Sequence, residues 1–135
     1  MERELLARAS QASELACVLP DSRLRVGAAL LSESGEIYLG ANIESASYGL
    51  TVCAERVALF VALMAGERKF KAMAITAFKK RGDEWVERKG ITPCGACRQM
   101  LAEYAPGLVI YLNDGRIYRI EELLPEAFER DNQTI

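Results

Sequence analysis

Apolar side chains recur at helical spacing from Arg3 to Leu19, through Leu5, Leu6, Ala9, Ala12 and Ala16, and stop at the turn signal Pro20-Asp21. That rhythm predicts a first helix. From Val26 the run Gly-Ala-Ala-Leu-Leu is continuously apolar and reads as a buried strand, with Glu33-Ser34-Gly35-Glu36 as a turn and Ile37 to Asn42 as its antiparallel partner. Ile43 to Leu50 is polar and small-residued, a loop that feeds a helix over Cys53 to Met64, closed by Ala65-Gly66. Lys71 to Phe78 predicts a central strand, and the charged stretch Lys79 to Gly90 around Trp85 an excursion, either a turn or a short extension. A further helix over Cys94 to Tyr104 is opened by Pro93 and stopped by Ala105-Pro106-Gly107. Val109 to Leu112 reads as a strand and Asn113-Asp114-Gly115 as a turn. Tyr118 to Ile120 is a segment that can pair again, and Glu121 to Phe128 a short helical or irregular tail. Strands alternating with helices, without linker or repeat, predict one α/β domain over residues 1–135, in two or three layers.

Two of the predicted helices begin with chemistry. Thr51-Val52-Cys53-Ala54-Glu55-Arg56 opens one and Pro93-Cys94-Gly95-Ala96-Cys97-Arg98 the other. Cys94 and Cys97 are three apart, neighbours on one helical face, so both sulfurs can reach one ion. Unpaired N–H groups at a helix start favour thiolate over thiol. Cys53 supplies a third ligand, and three protein ligands with a position left for water is the arrangement of catalytic zinc, whereas structural sites are usually closed by four. Glu55 lies about 200° from Cys53 on an ideal helix. At a first turn, however, side chains lean toward the N-terminus, and both can converge on something beyond the helix end. A carboxylate there can take a proton from a metal-activated water and pass it to a leaving group.

Composition narrows the chemistry. The chain has no histidine, so the base must be a carboxylate and a soft-metal site must rest on thiols. Four cysteines in a chain whose Met1-Glu2-Arg3-Glu4 start resembles neither a signal nor a transit peptide predict a cytoplasmic protein with metal-binding or catalytic thiols rather than disulfides. Cys17 falls within the first helical rhythm and reads as a core thiol. A net charge of −2 and the lack of a basic cluster argue against a nucleic-acid polymer as partner, and no apolar run reaches membrane-spanning length.

Asn42-Ile43-Glu44, Tyr48-Gly49, Cys53-Ala54-Glu55-Arg56, Pro93-Cys94-Gly95-Ala96-Cys97-Arg98-Gln99 and Leu123-Leu124-Pro125-Glu126-Ala127-Phe128, in that order, make the chain resemble the small homotetrameric type of cytidine deaminase. The resemblance covers nearly the whole chain. It implies a three-layer α/β/α fold with a mixed, about five-stranded central sheet. The function it implies is zinc-dependent conversion of cytidine and 2′-deoxycytidine to uridine and 2′-deoxyuridine in pyrimidine salvage. Cys53, Cys94 and Cys97 match the zinc ligands and Glu55 the proton shuttle. Asn42 and Glu44 match a pair that hydrogen-bonds the sugar hydroxyls, and Leu24 and Ala54 fall at substrate-binding positions. Phe128 matches an aromatic that reaches a neighbouring subunit's base, and Tyr48 a residue near subunit contacts, so a homotetramer with shared sites is expected. Three thiolates on Zn²⁺ leave a net charge of about −1, which Arg56, with Arg98 assisting, would offset.

Leu24 departs from the family pattern, which has an aromatic there, packed on the base. An aliphatic residue gives up stacking worth roughly 0.5–1.5 kcal/mol. That opens an alternative substrate, a modified cytidine or an aminopyrimidine antibiotic. Plainer readings also exist. The thiols can form a structural metal site or a redox pair, and the whole a non-catalytic zinc-stabilised oligomeric domain. Glu55 can be a carboxylate favoured by the helix dipole, Asn42 a turn residue, and Phe128 a plug for its own core.

Overall fold

The computed structural model describes residues 1–129, so the last six residues of the expected domain lie outside the described residues. Six strands form one mixed sheet: β1 (Leu24–Ser32), β2 (Ile37–Ala41), β3 (Phe70–Arg81), β4 (Glu84–Arg88), β5 (Val109–Leu112) and β6 (Ile117–Arg119). The order is β2-β1-β3-β5-β6, with β4 paired to the end of β3. Among the described strands only β3 and β5 run parallel, in the register Ala72 to Val109 through Ile75 to Leu112, and the crossover between them carries α3 (Gly95–Tyr104).

Alternation along β1 builds two cores. Val26, Ala28 and Leu30 face α2 (Ala54–Met64) and α3 together with Met73, Ile75, Ile110 and Leu112, whereas Ala29 and Leu31 meet Leu5 and Ala9 of α1 (Glu2–Ser13). The short helix α4 (Ile120–Leu123) joins the α2 and α3 side through buried Ile120. One helix on one face and three on the other make the expected α/β/α layering.

Two glycines set how closely the helices approach. A Cβ on Gly27 would overlap the carbonyl oxygen of Ala9 and lie 2.6 Å from the amide nitrogen of Ser13. On Gly40 it would overlap backbone atoms of Ala54 and Ala58. Gly27 therefore seats the end of α1, and Gly40 presses the first turn of α2, with its chemical residues, onto β2.

Three sequence expectations are corrected. The first helix stops at Ser13, not Leu19. Ser13 donates its hydroxyl to the Ser10 carbonyl (2.6 Å), and the chain then peels away so that Cys17 bridges Ile43 and leaves its side chain exposed rather than in the core. The excursion after Phe78 is a hairpin: β3 continues to Arg81 and pairs with β4, matching Lys80 to Trp85, and brings the sheet to six strands instead of about five. Trp85 is held there by the Arg25 guanidinium, 4.1 Å from the ring centroid.

Candidate metal centre and acid/base site

The cysteines at the two helix mouths occupy the same position. Cys53 is the N-cap of α2 (φ −73°, ψ 155°) and Cys94 the N-cap of α3 (φ −67°, ψ 169°), both extended, and neither side chain caps its helix. The sulfurs are thus left to face outward past the helix ends. Cys97, one turn into α3, is fully buried. The Sγ–Sγ separations are 3.6 Å for Cys53 to Cys94 and 3.5 Å for Cys94 to Cys97, and all three atoms lie within 4.8 Å of one another. Thiolates bound to tetrahedral zinc at ~2.3 Å stand roughly 3.8 Å apart, so the donor set fits that ion in softness, spacing and number.

Glu55 is 3% exposed, and burial pushes its carboxyl up to about 7, with the Cys53 charge adding to the shift. Cys53 is drawn down to about 5, first by the hydrogen bond from Cys97 and then by Arg56 and Cys94. Cys97 is pushed upward by donating to Cys53 and by its own burial. A thiolate and a carboxyl that can hold or release a proton near neutral pH therefore sit side by side.

Both following arginines are at the wrong end of a helix for a cation, since N-terminal N–H groups already carry positive partial charge. Each finds acceptors, but different ones. Arg56 points Nη2 at Cys53 Sγ (3.6 Å) and at the Thr51 carbonyl (3.5 Å), and its pKa rises chiefly through that sulfur. Among the described residues Arg98 donates to oxygens alone: Pro93 O (2.7 Å), Thr92 Oγ1 (3.2 Å) and Leu123 O (3.0 Å). The expected help of Arg98 to the thiolates is not what the structure shows, because its fork is taken up by the chain leading into Cys94.

Asn42 is buried and braces the start of β1, accepting from the Val26 amide (2.8 Å) and donating to the Leu24 carbonyl (3.1 Å). Glu44 accepts from the Leu19 amide (2.9 Å) and the Ser22 hydroxyl (2.7 Å). Both keep further hydrogen-bonding capacity. Glu44 also lines a cavity of about 340 Å³ with Leu19, Asp21, Ser22, Ser45, Tyr48 and Thr51. Leu24 is half-buried against the α2 and α3 core, and Ala54 is buried. Phe128 is 70% exposed with its carbonyl bonded to Gln99 Nε2 (3.0 Å), so it does not plug its own core. Sequence reasoning missed the clamp behind Cys94: Asn113 binds the Gly90 amide (2.9 Å) and the Arg88 carbonyl (3.1 Å), while Arg116 binds the Gly90 carbonyl (3.1 Å). Asn113-Asp114-Gly115 reads as an ordinary turn, and nothing local marks the distant loop that it grips.

Three soft donors and one buried carboxylate at adjoining helix mouths define a metal-assisted hydrolytic centre. Residues 1–113 match the family described as the cytidine and deoxycytidylate deaminase zinc-binding region. The cytidine deaminase of Halalkalibacterium halodurans is 44% identical over 137 residues, 98% of each chain. The 1.6 Å crystal structure of cytidine deaminase from Burkholderia pseudomallei superposes with a TM-score of 0.82 at 41% identity, covering 95% of this chain and 99% of that one. Blasticidin-S deaminase of Bacillus cereus is 33% identical over 116 residues, 82% of this chain and 81% of that one. The chain belongs to the zinc-dependent cytidine and deoxycytidylate deaminase family.

Proposed function

We propose that the protein hydrolyses free cytidine and 2′-deoxycytidine to uridine and 2′-deoxyuridine, releasing ammonia, with Cys53, Cys94 and Cys97 as the zinc ligands and Glu55 as the proton carrier. The convergence of three sulfurs beside one buried carboxylate carries this reading. Zinc held there supplies the Lewis acidity that makes a water nucleophilic at neutral pH. Glu55 would take the proton lost by the attacking water as its oxygen bonds to C4 of the pyrimidine and deliver it to N3. It would then move the C4 hydroxyl proton to the 4-amino group, whose C–N bond breaks to release ammonia as the C4 carbonyl forms. A carboxyl poised near 7 can do both. Arg56, aimed at Cys53, reduces the excess negative charge of the thiolates.

A nucleoside suits the cavity beside Glu44 better than a 5′-phosphorylated substrate. Among the described residues its lining includes Asp21 and Glu44 and no basic residue, a charge that would repel a phosphate. Asn42 and Glu44, two apart on one short segment, are the pair we assign to the sugar hydroxyls. We assign homotetramer formation to the apolar side chains that this subunit leaves exposed, Tyr48 and Leu50 on a 3₁₀ turn and Phe60, Val61 and Met64 on α2, with Phe128 reaching a neighbouring site. No helix among the described residues is long and apolar enough to cross a membrane. Work in pyrimidine salvage in the cytoplasm accords with four free thiols.

Leu24 supports a second reading. Its aliphatic side chain leaves the base position without a stacking ring, which suits a bulkier amine-bearing pyrimidine, and the relationship to a blasticidin-S deaminase points the same way. Ultraviolet absorbance of cytidine with zinc-loaded protein decides between them. We expect the cytidine band to be lost with wild type, and Glu55→Gln to retain zinc while losing at least about 10²–10⁴ in turnover. Zinc-loaded wild type that leaves cytidine intact would move the assignment to the modified substrate, and an active Glu55→Gln would remove Glu55 from the mechanism.

A further inference from the structure

We propose that Arg98 and Gln99 are positioning residues that couple the metal-holding mouth of α3 to the C-terminal segment ending at Phe128, so that order in one is order in the other. This rests on the reading of Cys94 and Cys97 as zinc ligands.

Ile91, Thr92 and Pro93 belong to no helix or strand, and no backbone hydrogen bond to the described residues holds any of the three. Upstream the chain is pinned at Gly90 by Asn113 and Arg116; downstream it is pinned at Cys94, whose carbonyl accepts from the Arg98 amide (2.9 Å). Between these points the Arg98 side chain supplies the polar holds, through Nε to Pro93 O and Nη2 to Thr92 Oγ1. The third hold of the same planar group, Nη1 to Leu123 O, is on the last residue of α4. Five residues further on, Gln99 Nε2 holds the Phe128 carbonyl.

One rigid guanidinium thus ties the approach to Cys94 and the end of α4 into a single unit, and the next residue extends the tie to Phe128. Guanidinium donors lie in a fixed plane, so these acceptors must be placed together to be satisfied together. A metal that fixes Cys94 and Cys97 fixes the first turn of α3, and through Arg98 and Gln99 the segment over residues 123–128. Lysine keeps the charge but cannot reach three acceptors on two segments with one planar group.

The test uses the full-length zinc-loaded protein, with Arg98→Ala and, in case that variant folds poorly, Arg98→Lys. Zinc transfer to a chromogenic chelator and hydrogen exchange over residues 121–128 are measured with and without zinc. We expect both variants to release zinc faster, by about 10–100-fold for Arg98→Ala, the usual scale for loss of a group that orients a ligand. Zinc removal should raise exchange over 121–128 several-fold in wild type. In the variants, exchange there should already be high with zinc bound and should change little on its removal. A folded Arg98→Lys that releases zinc at the wild-type rate overturns the proposal, as does a wild-type segment whose exchange ignores zinc. Wild type that holds no stoichiometric zinc would instead overturn the ligand assignment, a result distinct from equal release rates.

Discussion

The two helix mouths hold matching cysteines by unlike means. At α2, Cys53, Glu55 and Arg56 are placed by packing: Gly40 lets the backbone of Ala54 and Ala58 sit directly on β2, and Ala54, Ala58, Leu59 and Ala62 are fully buried beneath. At α3, the chain leading into Cys94 is placed by hydrogen bonds, from Asn113 and Arg116 at Gly90 and from Arg98 at Thr92 and Pro93. The half that carries Glu55 rests on close contact, which tolerates no extra atom, and the half with two of the three thiols rests on polar ties that can loosen singly. Position for chemistry and possession of metal should therefore fail separately.

The largest separation is expected from Cys94→Ala. Loss of a ligand should remove zinc and, because metal binding and folding are linked, lower the thermal midpoint as well; metal analysis with a melting curve checks both, and stoichiometric zinc in this variant would break the ligand set. Next in size is Gly40→Ala. Its methyl group meets backbone, so α2 must shift, and a displacement near 1 Å can cost about 100-fold in turnover. We expect zinc to be retained. Gly27→Ala, which crowds α1 on the other face of the sheet, should cost comparable stability with a much smaller loss in kcat. Equal kcat losses in the two would erase the distinction between the mouths.

The last effect concerns pH and touches stability alone. Burial raises Glu55 in the folded protein to about 7 from an ordinary 4.5. Such a carboxyl contributes stability that is fully present below the unfolded value and is lost as pH rises through the folded one. Metal-stripped wild type should therefore lose stability relative to metal-stripped Glu55→Gln between about pH 4.5 and 7, by about 3 kcal/mol, with a constant gap above. Cys53 is shifted the opposite way, so the difference between the two proteins, not either melting curve alone, isolates Glu55. A gap that does not change with pH would place Glu55 in contact with water.

Much of this was legible in the sequence where local pattern and final position agree. Continuous apolar runs mark β1 and β3, Pro93 and Ala65-Gly66 bound helices, and the cysteine spacing marks the site because the geometry of a first turn is fixed by the backbone alone. The failures have physical causes. Glu84–Arg88 buries almost nothing, so β4 carries no apolar alternation and is held by backbone pairing to β3, which no side chain announces. The helical rhythm through Ala16 extends past the true end of α1 because the chain there answers to a distant partner: Cys17 pairs with Ile43 and Leu19 with Glu44. Arg98 reads as an electrostatic neighbour of Cys97 because adjacency in sequence is visible and the carbonyls of Pro93 and Leu123 are not.

The chain has one tryptophan, and its position makes it a built-in optical probe. Trp85 lies on the β3–β4 hairpin, stacked under Arg25, the residue next to Leu24 on β1. Its emission will report whether the hairpin remains docked against the start of β1; the ring lines a cleft with Ser10, Ser13 and Glu14 on the α1 side of the sheet, whereas the two cysteine-bearing helices pack on the other. Fluorescence and metal content followed on the same sample thus read two different parts of the molecule, and the order in which they change on heating gives the order in which those parts come apart.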